Sequence, residues 1–373
     1  MRNSLDASEP QTNVFYPLNL EPDDAAGEAS MFGQMRFLLA YLVVVSHLVG
    51  GNYLAHFGFY AVVGFFVIAG YVMTSALNEV YHFDGVRFCI NRALRLLPPY
   101  YIVSVITLLV VAVLPTESGE YLKFWHADMQ LRDVLLNLAV LPMQTTDPAF
   151  RMVPPFWSIA IEVQMYLMLY LMIARRLGWA LVALTVGLCY HLACSYSDLG
   201  WPTHYFPVPS AVLPFAAGAL VYFMRQREAW CVAPSVALAA FAVWCANMAA
   251  GGWIFPHSYV FGIGYYAGIV LFTIVVAGLA GARPAAMLAR VDRTLGEWAY
   301  FVFLVQWLAG FAVAATFMPG QWRGWTLLAA ATPAIILSGA GLAMLNRSLV
   351  EPCRDFVRGY GVSGSVNIRH AMN

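Results

Sequence analysis

The sequence predicts an all-α, polytopic membrane protein, a bundle of about ten transmembrane helices with both termini in the cytoplasm. Of its 373 residues, 61% are hydrophobic and only 11% are charged, whereas a soluble domain carries about 25% charged residues. Apolar runs of about 20 residues, the length that crosses the hydrocarbon core, recur between residues 36 and 346. The basic residues gather in alternate loops between these runs, which gives the orientation.

The apolar runs set the number of spans. Pro98 and Pro99 precede one run, and Pro154 and Pro155 precede another; proline suits the first turn of a helix, where its missing N–H would be unpaired anyway. Residues 131–143 are apolar but too short to cross, so we expect a re-entrant or interfacial helix there. The predicted spans are 36–54, 59–78, 96–114, 156–174, 178–196, 207–224, 230–250, 258–281, 295–318 and 325–346.

The basic residues test this count. If the N-terminus is cytoplasmic, four of the 20 basic residues fall in outer loops, namely Lys123, Arg132, Arg151 and Arg323. Counting 131–143 as an eleventh span would reverse every later loop and remove this asymmetry. Ten spans with both ends cytoplasmic is therefore the favoured topology.

Three segments are expected. Residues 1–30 are acidic and lack an apolar signal-peptide core, so they are expected to be a disordered tail. Residues 31–350 form the membrane domain, and 351–373 a cytoplasmic C-terminal tail.

The zero net charge argues against a nucleic-acid partner. The six cysteines lack metal-binding spacing, and we interpret them as packing residues rather than metal ligands or disulfides.

Ionisable residues inside membrane spans are functional candidates. Arg36 and His47 lie 11 residues apart in the first span, which is close to three helical turns, so they share a face about 16 Å apart. A ligand with an anionic head and a long arm could touch both. The alternative is that His47 is a buried structural histidine bonded to a neighbouring helix.

Glu162 lies one turn after Trp157 and Ser158 in the fourth span. We expect His47 to be its partner, since this topology puts both in the outer half of the bilayer. A carboxylate can hold an imidazole in one tautomer, as a general base for a hydroxyl requires. The alternative is a structural ion pair that ties two helices together.

Arg92 and Arg95 are three residues apart before Pro98, so on a helix they face the same way. Paired guanidinium groups can hold phosphates. The alternative is ordinary positive charge in a cytoplasmic loop. The remaining histidines are interpreted as loop or interface residues.

These residues together resemble the acyltransferase-3 family of bacterial membrane O-acyltransferases. The resemblance extends over almost the whole chain after the acidic tail. The sequence departs from the family pattern at Ala69, where a serine is usual, and at Gln306, where a histidine is common. The similar segments are residues 36–47, 64–71, 92–100, 157–166, 295–306 and 351–352.

The resemblance implies an enzyme of the bacterial inner membrane. It would move an acyl group, with acetyl the expected one, from cytoplasmic acyl-CoA to a hydroxyl of an extracytoplasmic or membrane-linked glycan, without a metal. An extracytoplasmic partner could take over the acyl group, and the oligomeric state is open. The implied site has His47 and Glu162 as catalytic residues, Arg36, Arg92 and Arg95 as cofactor-binding residues, and Trp157, Ser158 and Tyr166 as substrate-binding residues.

Two other classes stay open at this stage. A transporter or flippase for a lipid-linked or small-molecule substrate would also have about ten spans and a few intramembrane charges. An assembly factor for envelope polymers would need no catalysis of its own. Acyl transfer with release of CoA distinguishes the enzyme from both.

Overall fold

The computed structural model describes residues 31–50, 54–126, 128–141, 149–197, 200–227, 232–251, 254–282 and 285–358. These residues form an all-α protein, as predicted. The helices are α1 (Phe32–Val49), α2 (Ala55–Ser75, continued by a π-helical turn Ala76–Val80), α3 (Gly85–Val113), α4 (Pro115–Tyr121), α5 (Leu131–Ala139), α6 (Trp157–Leu171), α7 (Leu177–Ser195), α8 (Pro202–Tyr205), α9 (Val208–Gln226), α10 (Pro234–Ala250), α11 (His257–Val260), α12 (Ile263–Leu279), α13 (Ala286–Phe317), α14 (Trp325–Leu349) and α15 (Glu351–Arg358).

Within the described ranges, eight helices are long and apolar enough to cross a membrane. The other two predicted spans are also helical, but α6 has 15 residues and α10 has 17. Every predicted span therefore contains a helix, and eight of the ten reach membrane-crossing length. The crossing of α6 and α10, and the side on which each terminus lies, stay predictions. The eight are α1, α2 with its π-helical turn, α3, α7, α9, α12 with the preceding turn from Ser258, α13 and α14.

Two spans are much longer than predicted. Helix α3 begins at Gly85, where the Asp84 side chain accepts a hydrogen bond from the backbone N–H of Arg87. Pro98 and Pro99 therefore lie inside this helix, and the expectation that they start it was wrong. Hydropathy ends a span where charges begin, but a capped helix continues through its charged turns. Helix α13 extends in the same way, beginning at Ala286 rather than near 295.

Helix α1 packs between α2 and α13, and α13 also packs along α14. Gly33 and Gly296 let α1 and α13 approach closely, since a Cβ on Gly33 would lie 1.8 Å from the Asp292 carbonyl oxygen. The Asp292 carboxylate accepts hydrogen bonds from the backbone N–H groups of Gly33 (3.0 Å) and Gln34 (2.8 Å). This cap from a neighbouring helix fixes the position of α1 against α13, and with it the stripe from Arg36 to His47.

The predicted short helix within 131–143 is confirmed as α5, whose nine residues are too few to span a bilayer. Its Leu131 and Leu135 side chains are 72% and 55% exposed, whereas Asn137 is fully buried. The Asn137 side chain donates to the carbonyl of Phe150 and accepts from the N–H of Met152. It thereby holds the irregular segment that leads into α6.

The first eight residues of the predicted C-terminal tail are helical. Residues Glu351–Arg358 form helix α15, which packs against α3. Residues 359–373 and the predicted acidic tail 1–30 lie outside the described residues. The five described cysteines are free thiols.

Candidate active site

A cavity of about 100 Å³, here called the arginine cavity, lies between α1, α2, α3, α6 and α13. Its lining includes Arg36 from α1, Arg92 and Arg95 from α3, and Glu162 from α6. The predicted phosphate-binding arginines therefore do meet, although they come from two helices. Three guanidinium groups face one carboxylate, so the cavity carries excess positive charge in a low-dielectric setting and favours an anionic guest.

Glu162 belongs to this arginine cavity. The Tyr166 hydroxyl, one turn further along α6, donates a hydrogen bond to its carboxylate. Glu162 also lies close enough to Arg36, Arg92 and Arg95 for their charges to act on it. The carboxylate and the phenol thus organise the cationic wall, and Tyr166 lies on the arginine side rather than beside His47.

A second cavity of about 240 Å³, here called the histidine cavity, contains His47 near the C-terminal end of α1. Its other lining is largely aromatic and includes Phe59, Trp157 and Phe206. The Trp157 and Phe206 rings pack together, with their centroids 4.9 Å apart. The cavity combines flat apolar faces with one imidazole, which is the usual balance of a site for an organic ligand.

The hydrogen bonds around Gln306 fix the tautomer of His47. The Gln306 amide nitrogen donates to the carbonyl oxygen of Phe303 (2.9 Å), so the amide oxygen faces His47. That oxygen lies 3.0 Å from His47 Nδ1 and has no proton to give. The proton is therefore on Nδ1, which donates to Gln306 and leaves the Nε2 lone pair free to act as a base.

The two cavities are neighbours, since Val62, Ser158 and Phe303 line both of them. The Ser158 hydroxyl donates to the carbonyl of Pro155 (3.0 Å), which leaves its oxygen available as an acceptor on this shared wall. Three side chains therefore lie between the cationic cavity and the cavity that contains His47.

The predicted pairing of His47 with Glu162 was wrong. Among the described residues the hydrogen-bond partner of His47 is Gln306, and Glu162 lies with Arg36 at the other end of the stripe. Glu162 lies in the arginine cavity because of the position at which α6 begins. A buried 3₁₀ turn, Pro154–Phe156, precedes it, so that the short helix starts inside the bundle and its sixth residue reaches the arginines.

Sequence reasoning also missed residues of α13. Gly296, Ala299, Tyr300 and Phe303 line the arginine cavity at positions i, i+3, i+4 and i+7, and Gln306 follows one turn after Phe303. That spacing marks one face of a helix and could have been found in the segment 295–306. It was obscured because every residue of that stripe is uncharged.

Three of the histidines interpreted as loop or interface residues are buried. His56 Nε2 donates a hydrogen bond to the Met248 carbonyl oxygen (2.8 Å), since a carbonyl can only accept. His191 and His204 are both hydrogen-bonded to the Tyr266 hydroxyl, at 3.2 and 2.9 Å.

Over the described ranges no group of three His, Cys, Asp or Glu side chains could hold a metal ion.

Fold and site together define a multi-pass membrane protein with a cationic cavity next to a cavity that contains a histidine. The model of the acyltransferase-3 family, described as an acyltransferase domain, matches residues 32–344. This match covers well over half of the chain, and the protein belongs to the acyltransferase-3 family, as its sequence motifs suggested. It is accordingly an acyltransferase that acts in a membrane and uses an acyl donor. The comparisons with curated proteins and with solved structures gave no match.

Proposed function

We propose that the protein transfers an acyl group, most simply acetyl, from cytoplasmic acyl-CoA to a hydroxyl group of an extracytoplasmic or membrane-linked glycan. The observation that carries this proposal is that Val62, Ser158 and Phe303 line both cavities. A cavity with three arginines thus lies next to a cavity with an imidazole, and acyl-CoA is a polyanion joined by a long arm to a reactive thioester.

The arginine cavity would receive the phosphates of the donor. Guanidinium groups hold phosphate oxygens bidentately, and Arg36, Arg92 and Arg95 converge on one space. Along α1, Arg36 and His47 are separated by about 16 Å. The pantetheine arm would bridge this distance along the apolar wall that Val62 and Phe303 provide.

His47 would act as the general base. Its Nε2 takes the proton of the acceptor hydroxyl while the hydroxyl oxygen attacks the thioester carbon. When the tetrahedral intermediate collapses, the carbon–sulfur bond breaks, and the imidazolium returns the proton to the departing thiolate. The products are an ester and CoA. A covalent acyl-His47 relay is an alternative route, in which Nε2 itself attacks the thioester.

The acceptor would occupy the histidine cavity. Phe59, Trp157 and Phe206 present aromatic faces on which a sugar ring could lie. On the predicted ten-span topology this cavity lies toward the outer face of the bacterial inner membrane, with both termini cytoplasmic. The ester would then form at the face where envelope glycans are exposed.

The test uses purified protein in vesicles, radiolabelled acetyl-CoA and an extract of envelope glycans as the acceptor pool. The proposal predicts a base-labile labelled ester with stoichiometric CoA release, and its loss in His47→Ala. Near-normal transfer by His47→Ala would overturn the assignment of the base. Transport of a solute without CoA release would favour the transporter class instead. Comparison of envelope glycans from cells with and without the gene would identify the acceptor.

A further inference from the structure

Helix α15 lies beyond the segment that matches the family model, yet it places two buried arginines, Arg354 and Arg358, against α3, the helix that supplies Arg92 and Arg95 to the arginine cavity. Arg87 on α3 holds its C-terminal end by donating to the carbonyl oxygens of Val357 (3.1 Å) and Arg358. Arg354 Nη2 donates to the Asn91 side chain (3.3 Å), one residue before Arg92 on α3. The helix is therefore docked beside the turn that supplies the cavity's arginines.

The burial pattern of α15 is inverted. Arg354 is 3% exposed, whereas Phe356 is 70% exposed. Burying a guanidinium group costs free energy unless anions and acceptors surround it. The face of α15 that packs against α3 therefore carries a guanidinium group, whose charge needs acceptors or an anion around it.

The two arginines of α15 are more deeply buried than its two acidic residues: the Arg354 side chain is 3% exposed, against 18% for Glu351 and 52% for Asp355, which accepts a hydrogen bond from Arg358 (3.1 Å). Glu351 accepts a hydrogen bond from Arg354 Nη1 and lies 3.8 Å from Arg358 Nη1. Burial and the neighbouring charges of Arg95 and Arg358 lower the pKa of Arg354 to about 10, even with Glu351 beside it. The Nε of Arg354 is buried and lacks an acceptor among the described residues. A donor without an acceptor, inside a cationic cluster, is a place for an anion.

We propose that Arg354 binds the 3′-phosphate of the acyl-CoA donor at the cytoplasmic end of the arginine cavity. This inference rests on the proposed function and adds to it a binding residue for one further phosphate group of the donor. In CoA the pyrophosphate lies between the pantetheine arm and the ribose 3′-phosphate. When the thioester is at His47 and the pyrophosphate at Arg92 and Arg95, the 3′-phosphate comes next, toward the N-terminal end of α3 where Arg354 contacts Asn91.

The experiment compares acetyl-CoA with acetyl-dephospho-CoA, which lacks only the 3′-phosphate, by calorimetry on the full chain in nanodiscs of zwitterionic lipid. A charge-assisted contact predicts that wild type prefers acetyl-CoA by about tenfold to a hundredfold. Arg354→Gln should reduce this ratio to about one without changing the affinity for acetyl-dephospho-CoA. The matched control Arg347→Gln should keep the ratio, because Arg347 is 73% exposed and pairs with Glu297 at 3.5 Å.

A second variant keeps the test decisive if Arg354→Gln does not fold. Glu351→Gln removes the carboxylate that competes for Arg354, so it should maintain or raise the ratio, and a fall would overturn the inference. Equal binding of both nucleotides by wild type would refute the role of Arg354 and leave the proposed function standing. Binding of neither would overturn both. Anionic lipid in the nanodiscs supplies a further control. If it stimulates acyl transfer by wild type but not by Arg354→Gln, and both proteins show the same ratio of affinities for acetyl-CoA and acetyl-dephospho-CoA, Arg354 binds a lipid headgroup and the inference fails.

Discussion

Replacing Gln306 by methionine tests how the protein prepares its base. Gln306 is fully buried, and its amide oxygen is the acceptor for His47 Nδ1. Methionine has a similar length and no strong acceptor. Without the acceptor, His47 can carry its proton on Nε2 instead, which removes the lone pair that the proposed reaction uses.

The magnitude follows from this one hydrogen bond. Leaving a buried donor without its acceptor costs about 1–3 kcal/mol, and about 1.4 kcal/mol corresponds to a factor of ten in rate. We therefore expect kcat to fall by about 5- to 150-fold. Gln306 is not among the residues that line the arginine cavity, so the KM for acyl-CoA should stay unchanged.

The assay is steady-state acyl transfer with CoA release as the readout, after thermal unfolding has shown that the variant is folded. Gln164→Met is the matched control. The Gln164 side chain donates only to the carbonyl of Ala160 in its own helix (3.1 Å), away from both cavities. An unchanged kcat in Gln306→Met, or a loss of the same size in Gln164→Met, would refute the positioning role of Gln306.

The same assay distinguishes this arrangement from the His47–Glu162 pair expected from the sequence. Glu162 lies in the arginine cavity with Tyr166 and Arg36, so Glu162→Gln should change the KM for acyl-CoA more than it changes kcat. If Glu162→Gln instead lowered kcat as much as His47→Asn does, at constant KM, the expected pair would be restored.

Two further predictions concern donor binding and helix packing. The variants Arg92→Gln and Arg95→Gln should each raise the KM for acyl-CoA by about tenfold to a hundredfold, because each loses charge-assisted bonds to phosphate. The control Arg347→Gln should leave this KM unchanged. If neither Arg92→Gln nor Arg95→Gln altered the affinity for acyl-CoA, the two arginines would not belong to the phosphate site. Gly33→Ala should destabilise the protein by about 1–3 kcal/mol in thermal unfolding, because its Cβ would lie 1.8 Å from a backbone oxygen of α13. Gly341→Ala, whose Cβ meets nothing within 4 Å, should be neutral or slightly stabilising, and equal effects of the two glycine substitutions would contradict the close approach of α1 and α13.

Features that depend on one helix could be predicted from the sequence. Arg36 and His47 share a face because the helical period dictates it, and the same holds for Arg92 and Arg95. The predicted spans all contain helix for a similar reason, since apolar length is a property of a single segment. The helix within 131–143 was recognised as too short by the same measure.

Features that depend on where a helix begins could not be predicted in this way. The depth of Glu162 is decided by the buried turn Pro154–Phe156 and by the hydrogen bonds of Asn137 to the preceding segment. The partner of His47 is decided by the packing of α13 on α1, which Gly33 and Gly296 permit. Neither follows from local hydropathy.

Charged residues on the buried face of a short helix gave the least signal. Arg354 is one of the basic residues that the predicted topology places in the cytoplasm, where the positive-inside rule already accounts for an arginine. Its burial and its contact with Asn91 on α3 are visible only in the structure.

The central claim is that acyl-CoA is held by its phosphates in the arginine cavity, reaches into the bundle with its pantetheine arm, and gives up its acyl group at His47. Sided proteoliposomes test it most directly, with orientation determined by labelling of the exposed Cys353 on α15 with an impermeant maleimide. Acetyl-CoA is supplied only at the face that carries α15, and the acceptor only at the opposite face. The account predicts that labelled ester forms on the acceptor side while CoA is released on the donor side. Ester formation at the same rate when acetyl-CoA is supplied only at the acceptor face would contradict it.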